Sequence, residues 1–426
     1  MKKMSRTGNA IMLAIMLTGT ALAAEMTKTP AEIKIGQAQT AIEKEPKLAR
    51  HYSDLALALT RRARETADPK FYQQAEAALQ KSMEIEPNNF AARRIHAWTM
   101  LGKHEFAAAL AEATALNKEM PDDIMIYGYL ADANIELGNY EDAEKATQWM
   151  LDLRPGNVPG LTRAAYLREL FGDIEGSLDF MISAYERTPW NEREDRAWIL
   201  THIAHLELSR GKLDAAEKVL DAAFDLYPGY HYALGQMGKL RAAQGRHEEA
   251  VAALQQLVST APNPENYFPL GEAQMRAGQT AQAAATFAEF EKKALVEVAW
   301  MDNANRELIF YYADHAENPA KAMHIAREEF ARRQDIFTLD AYAWALHKNG
   351  ESAEARAPIE KALVVGVRDA KLFYHAGMIY HTLGERELAL KYLNHSLTAN
   401  PVSEFAEPSR AVLESLGWSA AELHRD

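Results

Sequence analysis

The sequence predicts an all-α solenoid of about ten helix–turn–helix pairs. Three classes of position keep one clock. Pro87, Pro121, Pro155 and Pro189 stand 34 residues apart, Pro228 follows after 39 and Pro262 after another 34. Turn glycines keep nearly the same spacing at Gly138, Gly172, Gly211, Gly245 and Gly278, and again at Gly350 and Gly384. Small residues recur in the second helix of each pair: Ala75, Ala109, Ala143, Ser177, Ala216, Ala250, Ala283, Ala355 and Ala389. A helix pair with one apolar stripe cannot bury it alone, so such units stack.

The elements follow in order. Residues 1–24 read as a secretory signal. Lys2, Lys3 and Arg6 carry charge, residues 10–23 are apolar, and Ala21-Leu22-Ala23 fits a small-x-small cleavage pattern. The apolar stretch is short for a bilayer, so the expectation is no stable membrane insertion after cleavage and a periplasmic or secreted chain. Residues 25–48 are expected to hold a lone capping helix that ends before Pro46. Residues 49–401 are the array. The first helix of its first unit overruns, with Arg61, Arg62 and Arg64 expected on a solvated helix end. The next three units are regular. The excess before Pro228 falls around residues 192–196, ahead of the helix that holds Trp198, His202 and His205. Residues 296–333 form a degenerate pair, whose first helix is expected from Val296 and whose turn has no glycine. Two strong units follow. Residues 402–426 are expected to hold a final capping helix with Leu413, Leu416 and Trp418.

Composition narrows the chemistry. The chain of 426 residues has no cysteine, which excludes disulfides and thiol catalysis. Loss of Lys2, Lys3 and Arg6 would take the formal charge from −13 to −16. An acidic surface repels phosphate backbones, so nucleic acid is not the expected partner. The sequence has no G-x-S-x-G, no H-E-x-x-H and no phosphate loop, so no catalytic residue, cofactor or metal is assigned.

The period, the turn glycines and the small helix positions together resemble the tetratricopeptide repeat, over roughly residues 31–401. The resemblance implies a right-handed superhelix with a concave inner surface lined by first helices. The small position of each first helix, at Ala97, Ala131, Ala165, Ala204, Gly238, Gly271, Ala343 and Gly377, sets the helix phase. A peptide-binding groove follows from that phase: Trp98, Tyr129, Tyr166, Trp198, His202, His205, Tyr232, Phe268, Trp344, His347, Tyr374 and His381. Arg94, Asp132, Glu169, Lys239, Glu272, Asp340 and Lys371 add mixed charge. Aromatic rings supply large rigid contact area, which suits an extended peptide or a partner helix. The expected function is therefore a non-enzymatic scaffold that binds protein and assembles an envelope complex. The alternative is a metal-dependent hydrolase or small-ligand binder centred on His202 and His205, with Glu169 within reach.

Overall fold

A computed structural model describes residues 28–298 and 303–418. The expected signal segment lies outside these residues. A first helix, α1 (Pro30–Lys44), precedes ten pairs. These are α2 (Ala49–Thr66) with α3 (Lys70–Ile85), α4 (Phe90–Gly102) with α5 (Phe106–Glu119), α6 (Ile124–Glu136) with α7 (Tyr140–Leu153), α8 (Val158–Leu170) with α9 (Ile174–Arg187), and α10 (Arg193–Ser209) with α11 (Leu213–Leu226). Then come α12 (His231–Ala243) with α13 (His247–Thr260), α14 (Pro264–Arg276) with α15 (Thr280–Glu297), α16 (Asn305–Phe310) with α17 (Pro319–Arg332), α18 (Ile336–Lys348) with α19 (Ser352–Val365), and α20 (Ala370–Thr382) with α21 (Arg386–Ala399). Helix α22 (Ala406–Ser415) is last; among the described residues no strand forms.

The sequence starts and stops these helices by local chemistry. Asn89, Asp123, Asn157, Asp335 and Asp369 each precede a first helix, and each side chain accepts a first-turn backbone N–H. That satisfies donors a helix start leaves free. The small residues of the second helices, from Ala75 to Ala389, are sealed from solvent, as are the alanines at the first-helix small position. Gly238, Gly271 and Gly377 occupy that position where Leu254, Phe287 and Leu393 press closest. An added Cβ would lie 2.6 Å from each.

The irregular parts have physical causes. The excess residues extend α10 to 17 residues, against 13 in α8 and α12. In the degenerate pair the expectation of a helix from Val296 is corrected: α15 continues to Glu297 and the next helix begins at Asn305. Its end widens into a π-turn, Tyr311–His315, in place of a glycine stop. Leu416 and Trp418 follow α22 rather than lie in it, and still pack on the last apolar cluster with Leu413.

The coil then closes on itself. The turn after α6 seats on the loop before α18: the Gln334 N–H donates to the Glu136 carbonyl at 3.2 Å, and the Ile336 N–H donates to the Tyr140 hydroxyl at 2.9 Å across 196 residues. One apolar cluster joins Ile135, Leu167 and Leu170 to Phe310, Leu339 and Trp344. Gly138 has φ 77° and sits so near the loop that a Cβ would lie 2.6 Å from the Gln334 carbonyl oxygen. The Gly172 turn meets Gly366 in the same way. Thus two of the periodic glycines admit the next turn of the coil as well as ending a helix.

The overrun of α2 also finds a partner, which corrects the expectation of a solvated end. Arg61 bonds Glu192, and Asp195 at 2.9 Å; Arg64 bonds Glu194 and Asp195. Arg62 turns to Glu65 and Glu32 at 2.8 Å. Two departures from the period, the long α2 and the lengthened α10, therefore meet as a clasp.

Candidate interaction surface

Adjacent first helices place a continuous strip of half-buried rings side by side. Trp198 and His202 are four apart on α10, and His202 and His205 three apart, so all three lie on one face. Trp198 stacks on His202 at 5.5 Å, Tyr166 of α8 meets His202 edge-on at 6.3 Å, and His202 and His205 lie 5.7 Å apart. Glu169, one turn below Tyr166, accepts from both imidazoles, at 3.1 Å from His202 Nε2 and 2.7 Å from His205 Nε2. Burial alone would push this carboxyl up. The charges and hydrogen bonds of His205 and His202 outweigh burial and hold it well below the usual carboxylate range. Both Nε2 atoms thus face a single carboxylate. Among the described residues no group of three or more His, Cys, Asp or Glu side chains is placed to hold a metal.

A second group forms near the C-terminal end. Trp344 is 5% exposed and lies flat on His375 at 4.0 Å, and its Nε1–H donates to Asp314 at 3.0 Å. His347 stacks on Trp344 at 5.0 Å, and its Nδ1 lies 3.0 Å from Ser352 Oγ. Burial, helped by the charges of His375 and Lys348, pushes His347 down to about 4, so it is neutral at pH 7. Tyr374 lies 5.3 Å from Phe405. His381 is exposed on α20, away from this stack.

The remaining groove residues are dispersed. Tyr129, 4% exposed, lies in the apolar cluster against which Trp98 packs, and burial pushes its hydroxyl up to about 12. Phe268 is buried against Phe287 and Phe290 of its own unit, at 6.0 and 5.6 Å. Tyr232 is 43% exposed, 4.0 Å from His231. It lines a cavity of about 720 Å³ inside the coil, with Arg64, His104, Lys239, Glu272 and Arg306 on the walls. Period reasoning places the ring strip but misses this cavity, whose walls come from the first, middle and late units.

Stacked helix pairs around an inner wall define a helical-repeat solenoid, a class that works by presenting surface. Tetratricopeptide-repeat family models match residues 207–270 and 370–403, so the chain carries tetratricopeptide repeats in these two stretches. A solved structure of the human IFIT1 dimer with m7Gppp-AAAA is similar at TM-score 0.50 and 15% identity, over 86% of this chain and 84% of that one. It supports the fold. PilW, a widely conserved type IV pilus biogenesis factor, gives TM-score 0.41 at 12% identity, over 48% of this chain and 93% of that one. The Cut9–Hcn1 hetero-tetramer of the APC/C gives TM-score 0.35 at 13% identity, over 91% of this chain and 95% of that one. No curated protein matches.

Proposed function

We propose that this chain is an exported, non-catalytic scaffold that holds an extended peptide or partner helix along its inner wall and assembles an envelope complex. The carrying observation is the half-buried strip of Tyr166, Trp198, His202 and His205, which presents stacked rings from two adjacent units. Such rings are already ordered, so a ligand gains contact area at small entropic cost. Residues 25–48 and 402–426 act as caps in this reading, and residues 1–24 as the export signal. The acid excess over base favours a protein partner over nucleic acid. The test is a peptide array of envelope sequences probed with the purified chain. Bound sequences are expected to lose signal with the Trp198→Ala/Tyr166→Ala variant. An empty array, or equal binding by the variant, overturns the reading.

A further inference from the structure

Contacts between turns of the coil differ in chemistry. Where α6 and α8 meet α18, one buried apolar cluster runs through both sides, from Ile135 and Leu167 to Leu339 and Trp344. The first two pairs are joined otherwise. Among the described residues their own apolar clusters, around Leu79 and Leu116, take in nothing after Leu137. Of these pairs only Ala67, among the described residues, packs on the apolar cluster of α12–α14.

Charge and hydrogen bonds make the join instead. Arg61 and Arg64 of α2 hold Glu192, Glu194 and Asp195 at the start of α10. His231 of α12 donates from Nε2 to the Arg64 carbonyl at 3.1 Å. Apart from Glu194 the ion-paired side chains are partly exposed, Arg64 at 31% and Asp195 at 33%. Salt screens exposed pairs strongly and buried pairs little, and apolar burial is not held by charge. These bonds also hold the two sides of the cavity together. Ala63, Arg64 and Tyr72 stand on one side of it, and Tyr232, Gln236 and Glu272 on the other.

We propose that residues 30–119, the first helix and the first two pairs, form a lid on this cavity, and that the Arg61/Arg64 clasp is its salt-labile latch. Released, the lid swings on the third pair, whose apolar seam to α18 stays shut. Pairs in a solenoid lean on their neighbours, so small sliding motions of packed helices between α2 and α6 add up to an opening. The inference concerns entry to the cavity and rests on none of the ring-strip residues.

The chain has no cysteine, so introduced thiols carry spin labels at chosen sites alone. Lys70→Cys with Trp190→Cys spans the latch, and Glu141→Cys with Ala331→Cys spans the apolar seam; all four positions are exposed. Label distances are read in the full chain by pulsed electron paramagnetic resonance. Sodium chloride is raised from about 0.1 M to about 1 M, which shortens the Debye length from about 10 Å to about 3 Å. High salt is expected to add a second distance across the latch, longer by about one helix diameter, ~10 Å, and to leave the seam distance unchanged. Asp195→Lys turns an attraction for both arginines into a repulsion, and should add that longer distance already at low salt. A latch distance that stays single in high salt overturns the proposal, as does a folded Asp195→Lys variant with the wild-type distance. So does lengthening at both pairs together, the mark of a coil that loosens as a whole. The salt series decides alone should Asp195→Lys fail to fold. The peptide-array result bears on none of these outcomes.

Discussion

The clasp between α2 and α10 yields a quantitative expectation. Arg64→Ala removes the cation that bonds Glu194 and one of the two that bond Asp195. The Glu194 side chain is 3% exposed and, among the described residues, would keep only the Tyr230 hydroxyl, donating at 2.5 Å. Breaking a fully buried pair costs about 3–5 kcal/mol, and an exposed pair about 0–1 kcal/mol. Arg64 itself is 31% exposed at its side chain, so the expected loss lies between, at about 2–3 kcal/mol. The assay is urea unfolding followed by circular dichroism, run as a double-mutant cycle with Glu194→Ala. A coupling of about 1–2 kcal/mol is expected between residues 130 positions apart. Hydrogen exchange should quicken near both 61–66 and 193–197 in each single variant. Additivity within about 0.5 kcal/mol would show that the overrun of α2 is not clasped by α10.

Two further outcomes follow from the seam between turns. Gly138→Ala and Gly245→Ala both place alanine at positive φ, worth about 1–2 kcal/mol. Only Gly138 also faces the Gln334 carbonyl, so its variant should lose about 1 kcal/mol more, and equal denaturation midpoints would refute that contact. Glu136 is raised to about 7, chiefly by burial and then by the charge of Asp335, against the opposing charges of Arg306 and Arg333. The folded chain then binds a proton that the unfolded chain has released between pH 4.5 and 7, so this group's stabilisation is full below that window and fades as pH rises through it. Glu136→Gln should flatten that slope in pH-dependent melts; an unchanged slope would refute the assignment.

The period of prolines, glycines and small residues made the helix pairs legible, because each of those positions answers to a neighbour within its own or the next unit. Contacts between turns of the coil left no such trace. They depend on small rotations summed over several units, which no single repeat records. From sequence alone Arg61 and Arg64 therefore read as a free helix end, and the excess at 192–196 as a lengthened helix; only their contact in space gives both a reason. Phe268 and Trp344 share the phase of Trp198, yet ring partners within the pair and across to α20 cover them. Their burial depends on packing density rather than on phase.

The seat of the Tyr140 hydroxyl on the Ile336 amide has a consequence for how such a chain can change length. An open solenoid tolerates gain or loss of a unit, because only the flanking units notice. Here one extra unit between α7 and α17 would carry Gln334 past Gly138 and unseat every contact along the seam. Unit number is thereby locked by shape. During synthesis, too, the third unit must wait for the ninth before its exposed edge is covered.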